Sequence, residues 1–153
     1  MNENLELLEF IYKTSDMGAS TTTDLLNTIK EKDNKIKKEA EDIIKTYEKY
    51  LKESEKLLKK SKTKGEDENM FTKAMSTMVI KKEIKNDNSD AHLADMLIQG
   101  LTMGNLEINK RIENYKNDAD RNTISLAKNF GSIINSVGEA KSHWHYFYKK
   151  KSH

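Results

Sequence analysis

Thr14-Ser15-Asp16-Met17-Gly18, near the start of the chain, is echoed by Gly100-Leu101-Thr102-Met103-Gly104, and the echo continues on both sides. At an offset of 86 residues Leu7 falls on Leu93, Phe10 on Met96, Ile11 on Leu97, Gly18 on Gly104, Leu26 on Ile112 and Ile29 on Tyr115. With one residue inserted, Asp33 falls on Asp120, Ala40 on Ala127, Ile43 on Phe130 and Tyr47 on Ile134. In both copies the apolar residues recur every three or four positions, so each helix has one face to bury and cannot bury it alone. Two such duplicated helical hairpins satisfy one another by packing into a four-helix bundle. An all-α fold follows, and no chemistry comes with it.

Composition agrees. Proline is absent, so helices end only where Gly, Asn and Asp cluster. At 153 residues the chain fits one domain, residues 1–153, with a core that needs no staples. Hydrophobic residues make up 35% and charged residues 34%, a polar balance that suits helices solvated on all but one stripe. The absence of cysteine excludes disulfides, thiolate metal ligands and cysteine nucleophiles. The start, Met1-Asn2-Glu3-Asn4-Leu5-Glu6, carries acids where a secretory signal needs a basic start and an apolar run, and no stretch approaches the length of a membrane span. The expectation is a soluble, cytoplasmic protein. Twenty-seven basic residues against 25 acidic leave a net charge of +2, and lysine runs such as Lys35-Ile36-Lys37-Lys38 are interleaved with or followed by acids. These runs read as solvated helix faces with pairs such as Glu48 to Lys52, and no nucleic-acid partner is expected.

The periodicity predicts helix 1 over about 4–30, with Leu7, Ile11, Thr14, Gly18, Leu25 and Ile29 near one face. Within it Ala19-Ser20-Thr21-Thr22-Thr23 has modest helix propensity, and tertiary packing must hold it. A turn at Lys32 to Asn34 leads to helix 2 over about 35–61, with Ile36, Ala40, Ile43, Tyr47, Leu51 and Leu58 inward. Hairpin one thus covers about 4–62. The connection, about 63–88, holds a short apolar pattern between Asn69 and Ile84 that has no counterpart in the repeat and reads as an extra crossover helix. Hairpin two covers about 89–148. Ser89 caps helix 3, which runs to about Tyr115 with Leu93, Leu97, Gly100, Leu101, Gly104, Ile108 and Ile112 inward. A turn over Asn117 to Asp120 opens helix 4, expected to reach Tyr148 with Ile124, Ala127, Gly131, Ile134, Val137 and Trp144 inward. Glycine inside a helix costs about 1 kcal/mol relative to alanine, so its use at both Gly18 and Gly104 points to close helix approach, or to room for a ligand.

A duplicated four-helix unit raises the di-iron carboxylate hypothesis, which needs Glu-x-x-His on two helices. The residues three before His92, His143, His145 and His153 are Ser89, Ala140, Ser142 and Lys150, so the motif is absent. Weaker donor groups remain: His92 with Asp95 on one helical face, Glu107 on the helix 3 stripe, and Glu139 with His143 and His145. His92, Asp95 and Glu107 are the candidate metal residues; Glu107 with Arg111, four residues on, reads more simply as an ion pair. No phosphate-cradling loop and no nucleophile motif is present, so no catalytic residue and no cofactor is assigned. The tail from His143 to Lys151 mixes aromatic and basic residues, and packing of Trp144 and Tyr148 along helix 4 accounts for most of it.

The paired Met-Gly positions and the run Ala94-Asp95-Met96-Leu97-Ile98-Gln99-Gly100-Leu101-Thr102-Met103-Gly104 resemble a family of small clostridial ferritin-like four-helix bundles to which no activity is assigned. More distantly the pattern is similar to ferritin-like stress- and sporulation-associated proteins. The resemblance implies a ferritin-like bundle with a crossover, while the missing Glu-x-x-His removes the residues that would carry iron chemistry. The leading expectation is therefore a non-enzymatic bundle acting through self-association or a protein partner, by way of the crossover helix and the tail. The alternative is a bundle that binds a metal or small ligand between helices near Gly18, Gly104 and Glu107.

Overall fold

A computed structural model describes residues 3–61 and 89–140, and for Glu139 and Ala140 the backbone alone. These residues form four α-helices: α1 (Glu3–Thr28), α2 (Lys37–Lys60), α3 (Asp90–Tyr115) and α4 (Arg121–Ala140), with no strand among them. The expected crossover helix, the end of helix 4 beyond residue 140 and the aromatic-basic tail lie outside the described residues.

The hydroxyl-rich stretch of α1 is helical throughout. Thr21 Oγ1 donates to the carbonyl of Met17 at 2.8 Å and Thr28 Oγ1 to that of Asp24 at 2.8 Å, so these side chains return their hydrogen bonds to the helix that carries them. The first turn of chain between helices is longer than Lys32 to Asn34. Ile29 and Lys30 donate to Leu26 and Asn27, three residues back, which tightens and ends α1 before Lys30. On the far side Asp90 caps the entry to α2, which starts at Lys37: its carboxylate accepts from Lys35 N at 3.1 Å, Ile36 N at 3.4 Å and Asn34 Nδ2 at 3.0 Å. Ser89 caps α3 as its sequence predicts, accepting from His92 N at 3.3 Å.

Contacts at the two ends set the topology. Asp90, at the start of α3, holds the α1–α2 turn, and Asn4, at the start of α1, accepts from Asp120 N at 2.9 Å in the α3–α4 turn. Hence α1 and α3 are antiparallel, α2 and α3 run the same way, and Ser61 and Ser89 sit at opposite ends of the bundle. Each helix of 26 residues is about 39 Å long, which is the distance a connection from α2 to α3 has to recover. The two hairpins, α1 with α2 and α3 with α4, are the most extensively packed pairs; α1 then packs on α3 and on α4, and α2 on α4.

One core runs through all four helices, including Leu7, Ile11, Leu25, Ile43, Leu58, Leu93, Ile108, Phe130 and Ile134. Phe130 is fully enclosed and meets the ring of Tyr50 from α2 at a centroid distance of 5.1 Å. Burial also falls on Tyr12, Ser15, Thr22, Tyr50 and Ser54, which the apolar pattern leaves out. Gly18 and Gly104 are both packing positions. A Cβ on Gly18 would lie 2.5 Å from Tyr47 Cζ, and one on Gly104 would lie 3.3 Å from Ile134 Cδ1. Gly100, expected inward, is instead exposed, and a Cβ there would meet nothing within 4 Å. Glu107 is exposed and does not pair with Arg111, whose guanidinium lies 4.2 Å from the centroid of the Phe10 ring.

Candidate functional site

Because α2 and α3 do not pack closely on each other, the space between them remains open above α1. It forms a cleft of about 540 Å³. Helical spacing supplies its surfaces. Gly18, Thr21, Thr22 and Leu25 follow one face of α1 and make the floor, Ile43 and Tyr47 on α2 make one wall, and His92, Asp95, Met96, Leu97 and Gln99 on α3 make the other. Leu25, Ile43, Met96 and Leu97 give this space an apolar body, and Thr21, Thr22, Tyr47, His92, Asp95 and Gln99 add polar groups on all three helices.

Gly18 is what lets Tyr47 reach the cleft. The end of the ring that bears the hydroxyl passes so close to α1 that any side chain at position 18 would overlap Cε1, Cζ and Cε2. The hydroxyl therefore emerges beside Gly18, where both residues border the open space. Tyr47 is only 6% exposed, and burial pushes its pKa up from 10.0 to about 12. The phenol is thus a neutral hydrogen-bond donor across the physiological range. Thr22, beside it on the floor, is 5% exposed. Neither side chain forms a hydrogen bond among the described residues, whereas neighbouring Thr21 is bonded to its own helix. Neither hydroxyl oxygen is among the fully buried polar atoms that lack a partner, so both reach the open space of the cleft.

The candidate metal residues are not brought together. His92 and Asp95 lie on the α3 wall, whereas Glu107 is fifteen residues further along the same helix, about 22 Å away. Among the described residues no group of three or more His, Asp or Glu side chains could hold an ion. Glu139, His143 and His145 lie outside the described side chains. Gly104 does not line the cleft either. The cleft thus lies beside Gly18, and of its hydroxyl residues sequence reasoning placed Tyr47 on the helix 2 stripe and Thr22 only in the hydroxyl-rich stretch of helix 1. Their one advance signal was a pair of hydroxyl residues sharing a core face with a helical glycine.

No known protein family matches the chain, and neither curated proteins nor solved structures provide a match. No helix among the described residues is long and apolar enough to cross a membrane.

Proposed function

We propose that this protein is a non-enzymatic helical bundle that binds a small molecule in the cleft between α1, α2 and α3. The observation that carries the reading is Tyr47, a buried residue whose hydroxyl forms no hydrogen bond among the described residues and reaches the space of a cleft of about 540 Å³. Binding is favoured over catalysis because burial makes this phenol harder to ionise, the reverse of what a tyrosine base or nucleophile needs. An uncharged apolar fluorophore, Nile red, tests the reading. The wild-type protein is expected to raise its emission saturably, and Thr22→Phe, which puts a ring into the floor of the cleft, is expected to abolish most of that signal. Equal dye binding by both proteins would overturn the reading.

The bundle is also proposed to be a ferritin-like duplication of one hairpin. Three equivalences support this. Gly18 packs on Tyr47 as Gly104 packs on Ile134, and these four residues correspond at the offsets of the repeat. Asn4 corresponds to Asp90, and each reaches from the first helix of its hairpin to the turn of the other. Buried Leu7, Ile11, Ala40 and Ile43 correspond to buried Leu93, Leu97, Ala127 and Phe130.

A second reading, self-association, has its own observation. Met103 and Leu106 on α3 are 62% and 64% exposed, and Ile133 on α4 is exposed as well. Light scattering on the eluting protein is expected to give a dimer mass that Leu106→Lys converts to monomer; a monomeric wild-type would remove this reading.

A further inference from the structure

The two halves of the bundle offer an internal comparison, because each position around the cleft has an equivalent in the other half. There the corresponding positions carry other side chains. Ile134 stands in for Tyr47, Ile108 for Thr22, Phe130 for Ile43, Arg111 for Leu25 and Phe10 for Met96. Ile108, Phe130 and Ile134 are fully buried. Arg111 lies across Phe10 at 4.2 Å, with its Nε buried and without a hydrogen-bond partner. Packing alone is thus met by aliphatic side chains at both hydroxyl positions. In the open half, both positions carry hydroxyls that lack partners among the described residues, and they lie together.

Charge narrows the occupant further. The cleft surface holds no Lys or Arg among the described residues, in a chain with 27 of them. Its one carboxylate, Asp95, is exposed. An anion placed against Tyr47 and Thr22 would lose hydration with no Lys or Arg on the cleft surface to offset the loss, and His92 is the one basic side chain there among the described residues, so a charged ligand is disfavoured. A neutral oxygen acceptor would be welcomed, since it satisfies a buried donor at small desolvation cost. The volume suits a body of roughly ten to twenty non-hydrogen atoms.

On the reading that the cleft binds a small molecule, we infer that its ligand is uncharged and largely apolar, and carries a carbonyl-type oxygen that accepts a hydrogen bond from Tyr47 at the Gly18 notch, with Thr22 alongside. The apolar part rests on Leu25, Ile43 and Leu97.

Three probes of one shape test this against the intact protein by isothermal titration: the ketone benzylacetone, its hydrocarbon counterpart isopentylbenzene, and the anion hydrocinnamate. Wild-type protein is expected to bind the ketone about tenfold more tightly than the hydrocarbon, and the anion most weakly. Tyr47→Phe is expected to erase the preference for the ketone while leaving hydrocarbon binding within about twofold, which also shows that the variant cleft is intact. Equal affinity for ketone and hydrocarbon in wild-type, or a preference that survives Tyr47→Phe, overturns the inference while leaving a cleft that binds apolar molecules. Tightest binding of hydrocinnamate overturns it too. Failure of all three probes to bind removes the reading of the cleft, and the inference with it.

Discussion

Replacing Tyr47 with phenylalanine deletes a single oxygen, and two consequences for stability can be worked from its surroundings. At neutral pH the hydroxyl forms no hydrogen bond among the described residues, which would cost about 1–3 kcal/mol in a sealed interior, but its oxygen reaches the cleft. The cleft is open on one side, so water recovers part of this, and the expected gain in Tyr47→Phe is about 1 kcal/mol. For a chain of this length that raises the melting temperature by about 2–4 °C. The second consequence appears in alkali. Burial raises the folded-state pKa from 10.0 to about 12, so the stabilisation linked to this proton is fully present below about pH 10. Between about pH 10 and 12 the unfolded chain has lost the proton and the folded chain retains it. Stability therefore falls with rising pH, by about 1.4 kcal/mol per unit and about 2–3 kcal/mol in all. The phenyl ring of the Tyr47→Phe variant has no such proton. Urea unfolding of both proteins at about pH 7, 9, 10 and 11.5 gives the difference directly. Other buried phenols, including Tyr50, whose pKa burial also raises, are common to both proteins and cancel. The reasoning is refuted if Tyr47→Phe is less stable than wild-type at neutral pH, or if the gap fails to widen above about pH 10.

The glycines separate by what faces them. Gly18→Ala would overlap the Tyr47 ring and is expected to cost about 1–3 kcal/mol, whereas Gly100→Ala enters open space and should stabilise by up to about 1 kcal/mol; urea midpoints showing the same sign for both would contradict the packing account. Asp90→Ala removes the acceptor of Lys35 N, Ile36 N and Asn34 Nδ2, so a loss of about 1–2 kcal/mol is expected by thermal unfolding, with Asp90→Asn losing less because its amide oxygen still accepts. Elemental analysis of native protein is expected to find no stoichiometric metal, because His92 and Asp95 provide only two donors on one helical turn and Glu107 is remote. Stoichiometric zinc, iron or manganese would send the search back to these residues.

Helix existence and the pairing of hairpins were legible in the chain because both depend on a local, repeated pattern of apolar spacing. Leu7, Ile11, Ile43, Leu93 and Ile108 sit where that pattern puts them. Helix ends were less legible, since the acceptor that satisfies the amides before α2 is Asp90, more than fifty residues away in the chain. Gly100 shows a further limit. It shares the short motif that marks the repeat, yet a glycine on the rim of a helical stripe carries no signal of which way it turns. The cleft was legible only as a suspicion at Gly18. Its walls come from three helices, and the groups that make it chemically distinct, Thr22 and Tyr47, satisfy the same periodicity as core residues. Pattern records that a position faces inward; whether a neighbouring helix fills the space in front of it is decided by α2 and α3 failing to meet.

That failure to meet is the point at which stability and function separate in this bundle. Sequences that specify a fold well agree at every level, from propensity to packing to hydrogen bonding, and departures cluster where something other than folding is being served. The second half meets its packing with buried Ile108, Phe130 and Ile134, the last of these against Gly104, and with Arg111 across Phe10, although Arg111 Nε is itself buried without a partner. The first half instead carries Thr22 and Tyr47, whose hydroxyls form no hydrogen bond among the described residues, beside a cleft. The aliphatic solution was within reach of the same backbone, because the other hairpin uses it. A ligand whose oxygen completes Tyr47 would restore the missing agreement, and the bound state, in place of the empty one, would then be the arrangement for which the first hairpin is consistent.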